Sequence, residues 1–279
     1  NNIFVYYLFR TIGTVTHPPT SALSATSLNT SGNVVHNEAG ADVDFRVESD
    51  TVTHALFVDG ASGKVGIGTS SPSSILHLSS SLPILSFTDT DDSATSRVYQ
   101  DSESFVIDVD NANAKASSLF KVHIDNTEAL KIDANGHVTM PLQPAFLATS
   151  SSQSNIASTD TLAFPNEVFD QNADYNNSNY RFTAPVTGRY QINATVRVDS
   201  LDQAATYSRI FLKTSNRNYE TIFSLGGLSG DPAYWTMVIT ALADMDAGDI
   251  AYLDWSQSGG ASQADIGVVE ATFSGYLAC

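Results

Sequence analysis

From residue 41 onward, apolar and polar residues alternate in short runs, two or three apolar side chains at a time, broken by Asp, Asn, Gly, Ser and Thr. A period of two sets one face of a strand on a core and the other toward water. One of these patterns occurs twice. Phe45-Arg-Val47 aligns with Phe120-Lys-Val122, Ala55 to Asp59 with Ala129 to Asp133, and Gly63-Lys-Val65 with Gly136-His-Val138. The offset drifts only from 75 to 73 residues. Each copy predicts strand, turn, strand, acidic turn, strand. Two more short strands lie between the copies, Ile84 to Phe87 before Asp89-Thr-Asp-Asp92, and Phe105 to Val109 before Asp110-Asn111. Units this thin are marginal alone in water and must pair with neighbouring repeats or with other copies of the chain. An ordinary sandwich with a chance likeness between two strands is the competing reading.

After Met140-Pro-Leu-Gln-Pro144 the pattern changes. Strands lengthen and carry more aromatics: Tyr180 to Phe182, Gly188 to Val198, Ser208 to Lys213, Trp235 to Thr240, Ile250 to Trp255, and Ile266 to Tyr276. Many strands at regular spacing without helical periodicity predict a sandwich or jelly roll. The expected fold class is all-β, with a short-strand β-repeat shaft followed by a sandwich head. The expected division is 1-40 as an N-terminal extension or partial shaft repeat, 41-140 as shaft and 141-279 as head. Ile3 to Phe9 is a further candidate strand or truncated shaft repeat.

Composition sharpens this picture. Of 279 residues only 15% are charged, yet 30 are acidic against 13 basic, a formal net charge of -17. Binding nucleic acid through its phosphates needs clustered Lys and Arg, so both sign and density argue against it. No apolar run approaches the ~20 residues that span a bilayer as a helix, so no membrane insertion is expected. The single cysteine, Cys279, excludes an internal disulfide framework and a cysteine zinc cage. With 42% apolar residues the chain buries enough surface to fold. Its abundant Ser, Thr and Asn compete for backbone hydrogen bonds and so favour turns and strands over helix interiors.

The second half carries a family pattern. Phe169, Tyr175-Asn176, Tyr180-Arg-Phe-Thr-Ala-Pro-Val-Thr-Gly-Arg-Tyr190, Ala247-Gly-Asp249 and Phe273-Ser-Gly-Tyr-Leu277 resemble, in order, the globular head of the C1q/TNF-like superfamily. The first half, with Asn37 to Glu48 and Val65-Gly-Ile-Gly-Thr-Ser-Ser-Pro72, resembles bacteriophage fibre and tail-fibre proteins. These resemblances imply a ten-stranded C1q/TNF-like jelly-roll head, a homotrimer whose β-repeat shaft is an intertwined trimer, contacts with other virion structural proteins, and a place on the virion surface, outside the cell. The Gly-X-Y collagen stalk of animal C1q-like proteins is absent, so a complement or adipokine role has no support. In heads of this kind the first and last strands lie near the trimer axis. Phe146, Phe273 and Tyr276 are therefore candidates for the subunit interface, with packing inside one subunit as the alternative. Gly275 is expected to let another backbone come close.

Candidate chemistry is sparse. All six histidines fall in the N-terminal half, so the head cannot assemble a Ser-His-Asp or Cys-His arrangement. Carboxylates are so plentiful that a pair at glycosidase spacing carries no information. No catalytic residue, no cofactor and no metal are assigned. Asp89-Thr-Asp-Asp92, Asp108 to Asn113, and Asp244 with Asp246 and Asp249 offer oxygen ligands of the kind Ca²⁺ takes, but read better as solvated acidic turns. Recognition is expected on head loops, at Tyr175, Asn176 and Asn177, at Arg217 and Tyr219, and at Tyr234 and Trp235. Aromatic faces stack on sugar rings and Asn or Arg bonds hydroxyls, which fits a host surface carbohydrate or protein. The function expected is host attachment by a phage fibre. A structural fibre or decoration with the head as trimerisation cap, and a glycan-degrading tailspike, are the alternatives.

Overall fold

The computed structural model describes residue 40 and residues 42–279. The expectation for the N-terminal stretch, Ile3 to Phe9 included, lies outside the described residues. Among the described residues every regular element is a strand, and the chain divides into two compact units between Asn111 and Ala112. The all-β expectation holds.

In the first unit, β1 (Phe45–Val47), β2 (Leu56–Val58), β3 (Val65–Ile67) and β4 (Leu76–Leu78) form one sheet in chain order, with β3 and β4 parallel. A three-stranded meander follows, β5 (Ile84–Thr88), β6 (Thr95–Asp101) and β7 (Ser104–Asp108). The second unit opens with another small sheet, β8 (Phe120–Ile124), β9 (Thr127–Ile132) and β10 (Val138–Thr139).

The repeat is structural as well as textual. Phe45 pairs with Val58 and Val58 with Val65, while in the second copy Phe120 pairs with Ile132 and Ile132 with Val138. The same three positions of the motif line up across three strands in both copies. The acidic turns match too. Asp59 accepts the Ala61 amide and the Ser62 hydroxyl, and Asp133 accepts the amides of Asn135 and His137. Hydrogen bonds from Ser62 and from the His137 ring hold these two carboxyls below the usual carboxylate range. Gly63 and Gly136 close the turns at φ 70 and 82, where a β-carbon would be strained.

The remainder of the second unit is the sandwich. One sheet has the order β12 (Asn166–Asp170), β11 (Ala145–Thr149), β20 (Ala271–Leu277), β15 (Gly188–Asp199), β18 (Tyr234–Met245). The other has the order β13 (Tyr175–Asn176), β14 (Arg181–Thr183), β19 (Ile250–Ser258), β16 (Tyr207–Thr214), β17 (Asn218–Ser224). Strands β15, β16 and β18 alternate buried and more exposed positions along most of their length, and β19 does so until Asp254 and Ser256 are buried as well. Ile192, Ala194, Val196 and Val198 of β15 face Ile210, Leu212, Leu253 and Trp255 of the opposing sheet within one core. Two expectations shift. The stretch Asn216 to Tyr219, read as loop, runs into edge strand β17. The last strand starts at Ala271 rather than Ile266, which makes only an isolated bridge to Gln153. The polar Asn-Tyr-Glu-Thr start of β17 hides a strand because an edge strand's outward positions face water.

Phe146 ties the two sheets together. Its ring stacks on Tyr175 and on Phe182, centroids 4.9 Å away in each case, and takes the edge of Phe273 at 5.0 Å. Tyr175 and Phe182 belong to one sheet, Phe146 and Phe273 to the other. Gly275 lies directly across from both Phe146 and Ile192 in the ladder. A β-carbon there would sit 2.6 Å from Ile192 Cδ1 and 2.9 Å from Phe146 Cε1. The tight approach is thus made by side chains first, the nearest backbone atom being the Gln191 carbonyl oxygen at 3.3 Å. Gly275→Ala is therefore expected to lower stability by about 1–3 kcal/mol through overpacking. Thermal and urea unfolding would check this; an unchanged midpoint would mean that the Phe146 pocket has slack.

Candidate functional site

The residues singled out for recognition do not converge; they fall in three places on the sandwich. The first is the β13–β14 hairpin. Tyr175 is not a loop residue available to a ligand, because its ring is in the core and its hydroxyl donates to the Phe164 carbonyl at 2.8 Å. Burial pushes its phenol well above the ordinary range. Asn176 and Asn177 are exposed, and the Asn176 side-chain oxygen accepts the Ser178 amide, capping the turn. Beside this hairpin lies a pocket of about 470 Å³, lined by Leu142, Pro144, Asp174, Pro185, Val186 and Leu277. Asp174 buries one carboxylate oxygen without a partner, and burial, then Asp170, raises its carboxyl. Composition gave no signal for this pocket, since its walls come from four separate segments.

The second place is the β16–β17 turn. Arg217 pairs with Asp244 at 2.7 Å, and Asn216 bonds the Asp244 carbonyl and the Asp249 carboxylate. Asp249 also accepts the Asp246 amide at 2.8 Å, so the acidic group Asp244, Asp246 and Asp249 works as turn chemistry. Tyr219 is half-buried against the core, and burial pushes its phenol up.

The third place is at the other end of β18. Tyr234 lies ten positions from Asp244 along that strand, roughly 33 Å at a strand's rise per residue. Tyr234 is 66% exposed, with the Arg197 guanidinium 5.0 Å from its ring centroid. Trp235 stacks on Phe223 with centroids 3.7 Å apart. Arg197 is held by Asp199, through bonds of 3.0 and 3.1 Å, and by Glu270. Sequence reading found Tyr234 and Trp235 but missed Arg197, Phe223 and Glu270. Only Arg197 left a trace, being a charged residue near the end of the strand predicted from Gly188 to Val198. Just before Tyr234, Asp231 accepts the Gln203 amide and the Gln263 side chain, which fixes the loop.

Of the three interface candidates, Phe146 and Phe273 turn their side chains wholly into the subunit's own core, and Tyr276 is about half exposed. The two outer faces of the sandwich differ sharply. Outside the β13-β14-β19-β16-β17 sheet lie ion pairs, Lys213 with Asp254 at 2.5 Å and Arg209 with Glu220 at 3.0 Å. Arg181, Arg209 and Lys213 there sit over Tyr252, Tyr207 and Phe211. Arg209 and Glu220 are partly exposed, where solvent screens such a pair, whereas Asp254 is buried beneath Lys213. Outside the other sheet the middle is uncharged. Gln191, Asn193 and Thr240 bond one another at 2.7 to 3.1 Å, flanked by exposed Phe169, Val238, Leu242 and Tyr276.

In the first unit, Asp42, Asp44 and Asp59 bring carboxylate oxygens within 4.8 Å of one another, a trio that spacing did not reveal. Asp44 accepts the Gly60 amide, and Asp59 serves its own turn.

Two five-stranded antiparallel sheets with the first and last strands side by side define a jelly-roll head. Residues 145–278 match the family model of the C1q domain, which places a C1q domain in the C-terminal region. A solved structure, described as the globular domain of zebrafish complement 1qA protein, is similar with a TM-score of 0.40 and 19% identity, over 49% of this chain and 98% of that one. No curated protein matches the chain. C1q domains typically form trimers, are typically non-enzymatic, and are often found in secreted or extracellular proteins. Among the described residues no helix is long and apolar enough to cross a membrane.

Burial of Tyr175 has a consequence at high pH. A phenol whose pKa is raised on folding from its ordinary 10.0 supports the folded state fully below pH 10, and that support is lost as pH climbs higher. Tyr175→Phe is expected to cost about 1 kcal/mol at neutral pH, for the lost bond to Phe164. It should also flatten the fall in stability above pH 10. Urea unfolding across that range tests both, and an equally steep fall in the variant would show that other groups govern alkaline unfolding.

Proposed function

We propose that this chain is a trimeric fibre protein of a bacteriophage virion. On this reading it projects from the particle and binds a host surface carbohydrate or protein through its C-terminal head. The observation that carries the trimer is the uncharged middle of the outer face of the β12-β11-β20-β15-β18 sheet. Bringing together chains that each carry a net charge of -17 requires a contact surface without like charges, and the middle of this face provides one, with Arg197, Asp199 and Asp244 lying toward the ends. The repeat of small sheets before the head supports a shaft, and we place the functional boundary between them at residues 140 and 141. The trimer then presents three copies of each head site at once, and multivalency raises avidity above any single contact. The chain's action is binding rather than chemistry.

Within the head, the Tyr234–Trp235 end is the best candidate for a sugar. It offers the exposed Tyr234 ring with the Arg197 guanidinium beside it and Glu270 paired to that arginine, while Trp235, on the opposite face of the strand, stacks on Phe223. The second reading, a structural fibre or decoration in which the head is a trimerisation cap, also has a specific support. Tyr175 is used in the core and Arg217 in an ion pair, so two of the three candidate places are occupied with internal work.

Light scattering on the full chain should give three times the monomer mass, and a monomeric mass would sink the trimer. On a glycan array the full chain should bind a surface glycan. Tyr234→Ala should weaken that binding about tenfold, equivalent to ~1.4 kcal/mol, with little change in melting temperature. Absence of binding to any glycan or host cell would leave the cap reading standing and remove the adhesin.

A further inference from the structure

The β5–β7 meander has two unlike faces. Its register sets Leu85, Val98 and Ile107 in one row, with Phe87 opposite Ser96 and Phe105 opposite Gln100 on the same side. No residue on that side is charged. The reverse side carries the Arg97–Asp108 ion pair at 2.6 Å and Tyr99, over which the Arg97 guanidinium lies. A sheet places its ion pairs toward water and its apolar rows toward a core. Here the apolar rows have no core: Leu85 is 47% exposed, Phe87 58%, Phe105 70% and Ile107 50%.

We propose that this apolar face of β5–β7 is an interface between three copies of the chain, each meander presenting the same face to a shared central core. The proposal rests on the trimer argued above and names where the shaft contributes to it. Four reasons select a second and third copy of this chain as the occupant. A three-stranded sheet with one bare face is marginal alone, so something must cover it for the strands to persist. The exposed parts of the four side chains sum to roughly 450 Å² per copy, taking ~200 Å² for each large apolar side chain. Three copies would bury roughly 1,350 Å² around one shared core, about 450 Å² per pairwise contact, which adds to a trimer interface made elsewhere in the chain rather than standing alone as one. The face is also free of charge, which a contact between identical, strongly acidic chains demands. Finally, the design recurs in β8–β10, where Val122, Ile124 and Val138 are again exposed. An external partner chosen for one sheet would not call for the same bare face in another.

The test uses the full chain with Cys279, which is exposed, replaced by Ser so that one new cysteine can be read alone. Ile107→Cys lies on the apolar face and Ser86→Cys on the opposite one. A short bismaleimide should join subunits covalently through position 107 and leave position 86 monomeric on a denaturing gel. If light scattering shows a trimer but neither position crosslinks, or both do equally, the β5–β7 interface is overturned while the head trimer survives. A monomeric mass overturns the trimer and this interface together. As a second variant, Phe105→Asp should keep the trimeric mass yet raise amide hydrogen exchange across residues 84–108 at least tenfold. Unchanged exchange in a trimeric variant would also overturn the proposal.

Discussion

The sandwich depends on one aromatic cluster. Phe146, the second residue of its first strand, reaches across from one sheet and lies between Tyr175 and Phe182 of the other, with the edge of Phe273 closing the group. Full burial of one such ring contributes about 2–3 kcal/mol, and here the rings gain further from their mutual geometry. The cluster has a spatial requirement that sets the sequence around it. Gly275, paired across from Phe146, leaves the room that the ring fills. Of the residues in the family pattern, Tyr175, Phe182 and Phe273 are thus explained by packing inside one subunit, whereas Phe169 and Tyr276 stay about half exposed. That accounts for why Tyr175 and Phe273 appear in the pattern without serving a ligand.

With the interior taken up in this way, function falls to the two outer faces and the ends. The sheet carrying Lys213, Asp254, Arg209 and Glu220 has its charges paired and its aromatics covered by cations, which is a face suited to water. The sheet carrying Gln191, Asn193 and Thr240 is uncharged in the middle of its outer face and edged there by exposed apolar side chains, with Arg197 and Asp199 toward one end and Asp244 toward the other. In a chain this acidic, the absence of charge is the more informative property, because repulsion between copies would oppose any other contact surface. The same reasoning applies independently to β5–β7, where ion pairs collect on one side and bare apolar rows on the other.

Much of the fold was legible in the residues. Alternation of apolar and polar positions located the long strands β15, β16 and β19 to within a few residues, because a strand buried on one side must alternate. The repeat was legible for a related reason: Phe45, Val58 and Val65 occupy one cross-strand row, and so do Phe120, Ile132 and Val138. A row must keep its character when the unit is copied. Edge strand β17 was not legible, since its outward positions answer to water and look like loop. The sites fared worse. Aromatic residues in polar stretches looked alike in the sequence, yet Tyr175 is core, Tyr219 half-buried and Tyr234 open.

By itself, then, the sequence determined the class of fold, the repeat, the turn chemistry at Asp59 and Asp133, and the excess of negative charge, because all of these depend on neighbours a few residues away. Only the tertiary structure decided which aromatic is spent on the core, which arginine already has its carboxylate, and which sheet faces are bare. Those outcomes depend on residues distant in the chain, such as Arg197 meeting Glu270 or Phe146 meeting Phe182, and periodicity within one strand carries no record of what lies across the sandwich.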